Sequence, residues 1–259
     1  MTDRMPTLFV GHGNPMNAIQ DTTWSRAWSV LGRELPRPRA VLAISAHWYL
    51  PGTAATAMAH PRTIHDFGGF PRELFEVQYP APGDVALVRQ LRELLAPTAI
   101  RADVSWGLDH GTWSVLRHIF PDAAVPVVQL SIDETQAPDF HHDLGKRLAL
   151  LRGEGVLILG SGNVVHNLHT YAWGRHPQQP YDWAVRFERH AKELMLGHDF
   201  LPLIHYENLG RDATLSVPTP DHYLPLLYVL GTWREGDPVT FPVEGVDGGS
   251  ISMLAVSIG

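Results

Sequence analysis

Leu8-Phe-Val-Gly-His-Gly-Asn-Pro-Met16 is the stretch on which the reading of this chain turns. Three apolar residues, Leu8, Phe9 and Val10, stop at Gly11-His12-Gly13, and Asn14-Pro15 then turns the chain. A short apolar run ended by Gly and Pro is the pattern of a strand buried on both faces. Glycines on either side of His12 let the backbone bend and leave the imidazole open to approach. The arrangement recurs. Ala40-Val-Leu-Ala-Ile-Ser-Ala46 runs into His47, and Val156-Leu-Ile-Leu159 passes through Gly160-Ser-Gly-Asn-Val-Val into His166. Ligands of open α/β sheets bind beyond the carboxyl ends of the strands. Strands that each deliver a histidine to one edge therefore predict an α/β domain over residues 1–259. Its sheet is mixed and largely parallel, flanked by helices, with a metal site at that edge.

Working outward, residues 21–31 carry Trp24, Ala27, Trp28 and Leu31 at helical spacing, and Gly32 ends that helix. Residues 53–58, 98–104 and 125–132 read as further strands, and 250–258 as a strand at the sheet edge. Asp84 caps a helix with Val85, Val88, Leu91 and Leu95 on one face, and Asp109-His110 opens another. Residues 138–152 form an amphipathic helix stopped by Gly153, with Leu144, Leu148 and Leu151 inward and His141 and His142 solvated. A helix over 181–196 ends at Gly197, and 222–230 is a short buried helix. Residues 60–83, rich in Gly, Pro and aromatics, have the composition of a lid or binding loop, with Phe67, Phe70 and Phe75 as anchors.

Composition narrows the function classes. The net charge is -7, with no basic run, which argues against nucleic acid or an anionic membrane surface as partner. No stretch approaches the roughly 18 apolar residues of a membrane span, and Met1-Thr-Asp-Arg-Met5 lacks a signal-peptide core, so a cytoplasmic location is expected. There are no cysteines, so any metal is held by His, Asp or Glu. The unusual count is 15 histidines against 20 Lys plus Arg.

His12 and His47 follow strands at one sheet edge, and His222 follows the turn Pro218-Thr-Pro-Asp221, which aims its side chain. These three are the candidate metal ligands. A strand-end histidine taken singly also fits a hydrogen-bonded structural role; their convergence favours a site. His166 and His110 sit in glycine-bearing turns, where imidazole serves as acid or base near neutral pH. His169 is expected to face outward. Two further patterns compete with these. Gly160-Ser-Gly-Asn-Val-Val165 partly matches a dinucleotide fingerprint with Asp182 downstream, but Val165 replaces the third glycine. Gly160-Ser161-Gly162 is not the nucleophile elbow of a serine hydrolase.

Longer motifs carry a resemblance. Leu8-Phe-Val-Gly-His-Gly-Asn-Pro-Met-Asn17, Ser45-Ala-His-Trp48, Ile64-His-Asp-Phe-Gly-Gly-Phe-Pro71, Tyr79-Pro-Ala-Pro-Gly83, Gly107-Leu-Asp-His-Gly111, Ser161-Gly-Asn-Val-Val-His-Asn-Leu168 and Pro218-Thr-Pro-Asp-His-Tyr-Leu-Pro-Leu-Leu227 closely resemble the 4,5-DOPA dioxygenase extradiol family. This is the single-chain branch of the class III extradiol ring-cleavage dioxygenases, related to the catalytic subunit of protocatechuate 4,5-dioxygenase. The likeness runs to Gly248-Gly-Ser-Ile-Ser-Met-Leu254. It implies a non-haem Fe(II) enzyme that inserts both atoms of O2 into a catechol and opens the ring. By motif, His12, His47 and His222 would hold the metal. His166 would be the acid/base, or a fourth ligand in a zinc-bound resting state, and His110 a donor to substrate or bound oxygen. Gly11 and Gly13 would keep side chains off the face where substrate and oxygen fit. The wider class resembles a two-histidine, one-carboxylate set, whereas here the third ligand is His222, with Asp221 and Glu207 as acidic alternatives. Three imidazoles are also a zinc-type set, so a zinc hydrolase and a non-enzymatic metal or aromatic-binding protein stay open as alternatives.

Overall fold

The apolar runs become strands. In the computed structural model, which describes residues 4–174 and 179–259, these are β1 (Thr7–Gly11), β2 (Ala40–Leu50), β3 (Thr53–Thr56), β4 (Ile100–Asp103), β5 (Val127–Asp133), β6 (Val156–Gly162), β7 (Val239–Val243), β8 (Val246–Asp247), β9 (Ile251–Ser252) and β10 (Ala255–Ile258). Residues 1–3, part of the N-terminal stretch read above, lie outside the described residues. Eight strands form one mixed sheet in the order β4-β3-β5-β2-β6-β1-β10-β7, and β8 pairs with β9 apart from it. The central strands β5, β2, β6 and β1 are mutually parallel, while β10 runs antiparallel to β1 and β7. The fold is thus the expected α/β sheet flanked by helices.

Helices cover both faces: α1 (Thr23–Glu34), α2 (Arg72–Phe75), α3 (Val85–Leu94), α4 (His110–Ile119), α5 (Pro138–Leu148), α6 (Asp182–Leu196), α7 (Leu201–Ile204), α8 (Arg211–Ser216) and α9 (Leu224–Gly231). Because successive strand side chains point to opposite faces, the apolar runs feed two cores. Leu42, Ile44 and Ile158 pack with α3, α5, α6 and α9, whereas Val41, Ala43 and Leu157 pack with Trp28 of α1 and Trp113 of α4.

Several readings are corrected by packing. Residues 250–258 split into β9 and β10, and β10 is interior; the edge is β7, which carries Pro242 on a strand with no second neighbour to bond. Helix α1 continues through Gly32 to Glu34, and a Cβ at Gly32 would meet Ile119 O at 2.2 Å, so this glycine brings α1 against α4. Helix α5 ends at Leu148 and a 3₁₀ turn continues to Glu154; the left-handed stop is Gly155, not Gly153. His141 and His142 are buried, not solvated. Here α9 closes onto α5: a Cβ on Gly145 would meet Tyr228 O, one on Gly231 would meet His142 O, each at 2.2 Å, and His141 Nδ1 lies 2.9 Å from Tyr228 Oη. Val85 is exposed, and Leu87 takes the inward place beside Val88 and Leu91.

Candidate active site

Three histidines meet at the carboxyl edge of the central strands. His12 follows β1. His47 is inside β2, which runs on past the expected end at Ala46. Between Ile44 and Tyr49 the register with β5 slips: five steps along β2 match two along β5, from Leu130 to Ile132. Extra residues in one strand bend it and re-aim a side chain, and here that side chain is His47. His222 precedes α9 and arrives through close approach to β6, where a Cβ on Gly162 would strike His222 O at 2.1 Å. The glycines of the 160–162 segment therefore make room for α9. Residues 163–174 form turns and bends rather than the helix a dinucleotide fold would need, and Asp182 begins α6.

One ligand atom from each of His12, His47 and His222 lies within 4.8 Å of the others. The Nε2 atoms of His12 and His47 are 3.1 Å apart. Their other nitrogens explain which way the lone pairs point. Ser161 Oγ donates to Gly111 O at 2.5 Å, so its lone pair faces His12 Nδ1, 3.0 Å away, and His12 carries its proton there. His222 Nδ1–H donates to Asp221, and His47 Nδ1 faces Asp66 Oδ2 at 3.4 Å. Where Nδ1 carries the proton in each ring, the Nε2 lone pairs of His12 and His47 confront one another without a proton between them. That repulsion is relieved by a cation, so the donor set fits a metal. Burial, then the neighbouring imidazoles, hold the His12 and His47 pKa values well below the ordinary range. Neutral imidazole is the form that ligates.

His166 and His110 flank this group. The His166 ring stacks on His222, centroids 3.5 Å apart and planes within 4°. Stacking sets its nitrogens beside those of His222, and His166 is not among the converging three. Burial, then His222, lowers its pKa to about 2. His110 opens α4 behind its N-cap Asp109, and its ring lies 3.9 Å from that of His47. Asp109 is itself pushed up to about 6, by burial and then by Asp66. Of the acidic alternatives, Asp221 bonds His222 Nδ1, and Glu207 lines a different cavity with Tyr49 and Tyr206. His169 is exposed, as expected, on a turn.

These histidines form the floor of a cavity of about 190 Å³, whose walls are Asn14, Pro15, Phe70, Leu168, Tyr171, Trp173 and Ile251. Leu168 and Trp173 stay about half exposed at its mouth. A larger depression of about 540 Å³ beside α1 and α4 carries none of the clustered histidines. Residues 60–83 are held to the body: Ile64 N–H donates to Leu108 O at 2.7 Å, Leu108 N–H to Arg62 O at 2.8 Å, and Trp113 Nε1–H to Ile64 O at 2.7 Å. The segment contributes Phe70 to the cavity wall and Asp66 to the imidazoles. Asp66 and the wall residues Leu168, Tyr171 and Trp173 escaped the residue-by-residue reading; an acid inside a glycine- and aromatic-rich loop was the one visible signal. Gly11 and Gly13 serve packing, since Cβ atoms there would meet Ser252 O at 2.5 Å and Met253 Sδ at 2.4 Å.

A mixed sheet whose parallel central strands gather imidazoles at their carboxyl edge below an aromatic-walled cavity has the build of a metalloprotein with a small-molecule site. The family described as the catalytic LigB subunit of aromatic ring-opening dioxygenase matches residues 7–233. The chain is 50% identical to a 4,5-DOPA dioxygenase extradiol of Escherichia coli (strain K12), over 99% of this chain and 95% of that protein. It is 33% identical to a protein of the same name from Beta vulgaris, over 95% and 93% of the two. A crystal structure of an uncharacterized Escherichia coli K12 protein superposes with TM-score 0.86 at 48% identity, covering 99% of this chain and all of that one. This chain belongs to the family of LigB-type aromatic ring-opening dioxygenase subunits. No helix among the described residues is long and apolar enough to cross a membrane.

Proposed function

We propose that this protein is an Fe(II)-dependent extradiol dioxygenase that opens a catechol ring, with His12, His47 and His222 as the metal ligands. Family membership supplies the reaction class, an aromatic ring-opening dioxygenase using O2 and a small aromatic substrate. It also sets aside the zinc-hydrolase and binding-protein alternatives. The observation that carries the ligand assignment is the convergence of three imidazoles whose Nδ1 atoms already have partners. His12, His47 and His222 would hold the iron, which would supply Lewis-acid and redox chemistry toward the catechol and O2.

The chain's own residues bind, orient and move protons. His166, stacked on His222 at the cavity floor, is the base for a catechol hydroxyl proton and returns it to the oxygen that needs one when the ring opens. His110, on the opposite side of the floor, gives its Nδ1–H to Asp66 and presents Nε2 to the cavity, where the lone pair accepts a hydrogen bond from a catechol hydroxyl. Phe70, Tyr171 and Trp173 offer aromatic faces to a flat ring and shield the floor from water. The substrate is a catechol with a DOPA-like or other substituent that reaches the mouth between Leu168 and Trp173.

Anaerobic loading with Fe(II), followed by a catechol panel and air, tests this reading. It expects oxygen uptake and a yellow ring-opened product; verified Fe(II) loading with no oxygen uptake on any catechol sinks it. Loading with Zn(II) is expected to occupy the same ligands without turnover.

A further inference from the structure

Asp66 lies in the 60–83 loop, far in sequence from β2 and α4, yet its carboxylate meets imidazoles from both. Oδ1 accepts the His110 backbone N–H at 2.9 Å, and Oδ2 accepts His110 Nδ1–H at 2.9 Å. The same Oδ2 stands 3.4 Å from His47 Nδ1. The side chain is only 15% exposed. Its place is set by the loop's attachment on both sides: Ile64 N–H to Leu108 O before it, and Tyr79 N–H to Thr63 Oγ1, at 2.9 Å, returning the chain after it.

We propose that Asp66 is a positioning residue that holds His47 and His110 together in the Nδ1–H tautomer. This turns His47 Nε2 toward the metal position and His110 Nε2 toward the substrate. The proposal rests on His47 being a metal ligand. A neutral imidazole has one N–H, and an ionised carboxylate only accepts, so a carboxylate beside Nδ1 selects the tautomer protonated there. Partners of this kind fix ring orientation and raise the basicity of the ligating nitrogen. Asp221 does this for His222 alone and Ser161 for His12 alone. Asp66 serves two rings, whose centroids are 3.9 Å apart, and it comes from the loop that also brings Phe70 to the cavity wall. Seating of that loop and assembly of the metal centre are therefore one event.

The test compares wild type with Asp66→Asn and Asp66→Glu. Long-range ¹H–¹⁵N correlation spectra of the metal-free, histidine-labelled protein report each tautomer directly. Wild type is expected to show His47 and His110 protonated at Nδ1, and Asp66→Asn to move at least one of them toward Nε2–H, because the amide can turn an N–H toward the ring. Co(II) titration, followed by its visible absorption, is expected to lose about 10–100-fold in affinity in Asp66→Asn at unchanged one-to-one stoichiometry. Asp66→Glu is expected to recover part of it. In the iron-loaded enzyme kcat is expected to fall more than KM rises. Unchanged tautomers with unchanged Co(II) affinity overturn the proposal. So does loss of Co(II) stoichiometry, which would make Asp66 a ligand, since His47, Asp66 and His110 also come within 4.8 Å. If Asp66→Asn does not fold, an Nε2–H tautomer at either ring in wild type is decisive against it. His12→Ala separates the underlying reading: Co(II) binding as tight as wild type there refutes the ligand set, while the metal-free tautomers still judge Asp66.

Discussion

The floor and the mouth of the histidine-lined cavity are built from different material. The floor is made by β1, β2 and the turn before α9, held where neighbouring atoms leave no room for a Cβ. Gly11 fits against Ser252 O, Gly162 against His222 O and Gly111 against Ser45 Oγ. The mouth is made by loop residues, of which Leu168 is 49% and Trp173 58% exposed. Metal ligands must be held to a fraction of an ångström, which rigid elements can do. Substrate choice tolerates, and exploits, loop variation.

The largest break in this comparison is expected from the floor itself. His12→Ala should lose bound metal and lower ring-opening activity by roughly 10³-fold or more, since the metal's Lewis-acid role has no substitute in the protein; metal analysis and oxygen uptake on the same sample check it. Next is His166→Gln, where kcat should fall about 10²–10⁴-fold, the usual scale of a lost acid/base, with metal content kept. Metal loss in that variant would move His166 into the ligand set. Glycines then contrast floor with loop directly. Gly162→Ala should destabilise by about 1–3 kcal/mol through overpacking against His222 O. Gly68→Ala, with open space around it, should stay within about 0.5 kcal/mol in denaturant melts.

A second set of buried imidazoles, packed between helices away from the cavity, sharpens the contrast. His141 and His142 between α5 and α9 are both lowered to about 4, chiefly by burial. Their pKa is depressed on folding, so the unfolded chain takes up protons first as pH falls. The stability they carry is complete above the unfolded value near 6.5 and is lost progressively down to about 4. The melting temperature should therefore drop between pH 7 and pH 5, and His142→Gln should flatten part of that slope; an unchanged slope would place the titration elsewhere. The smallest effect is expected at the mouth. Trp173→Ala should raise KM for an aryl-substituted catechol by roughly 3–10-fold with kcat nearly unchanged, the signature of lost uniform binding.

Much of this is legible in the sequence. Unbroken apolar runs announce strands covered on both faces, and Leu42 and Val41 do face different cores. The strand-end histidines and the Pro218-Thr-Pro turn pointed to His12, His47 and His222, which the fold brings together. What failed were readings that took one residue in its local setting. Gly32 looked like a helix stop and is a helix crossing; His141 and His142 looked solvated on a helix whose outer face α9 turns out to cover. Asp66 could not be found because its partners are 19 positions before it, His47, and 44 after it, His110.

By itself the sequence determined the strand and helix types, the α/β class, the family and the histidines at the sheet edge, because periodicity and local turn chemistry act over a few residues. Only the tertiary structure decided which nitrogen of each imidazole faces inward. That depends on Ser161, Asp66 and Asp221 as acceptors, two of them delivered from other elements. It also decided which glycines are contacts between elements rather than turns, since a Cβ is excluded there by backbone distant in the chain.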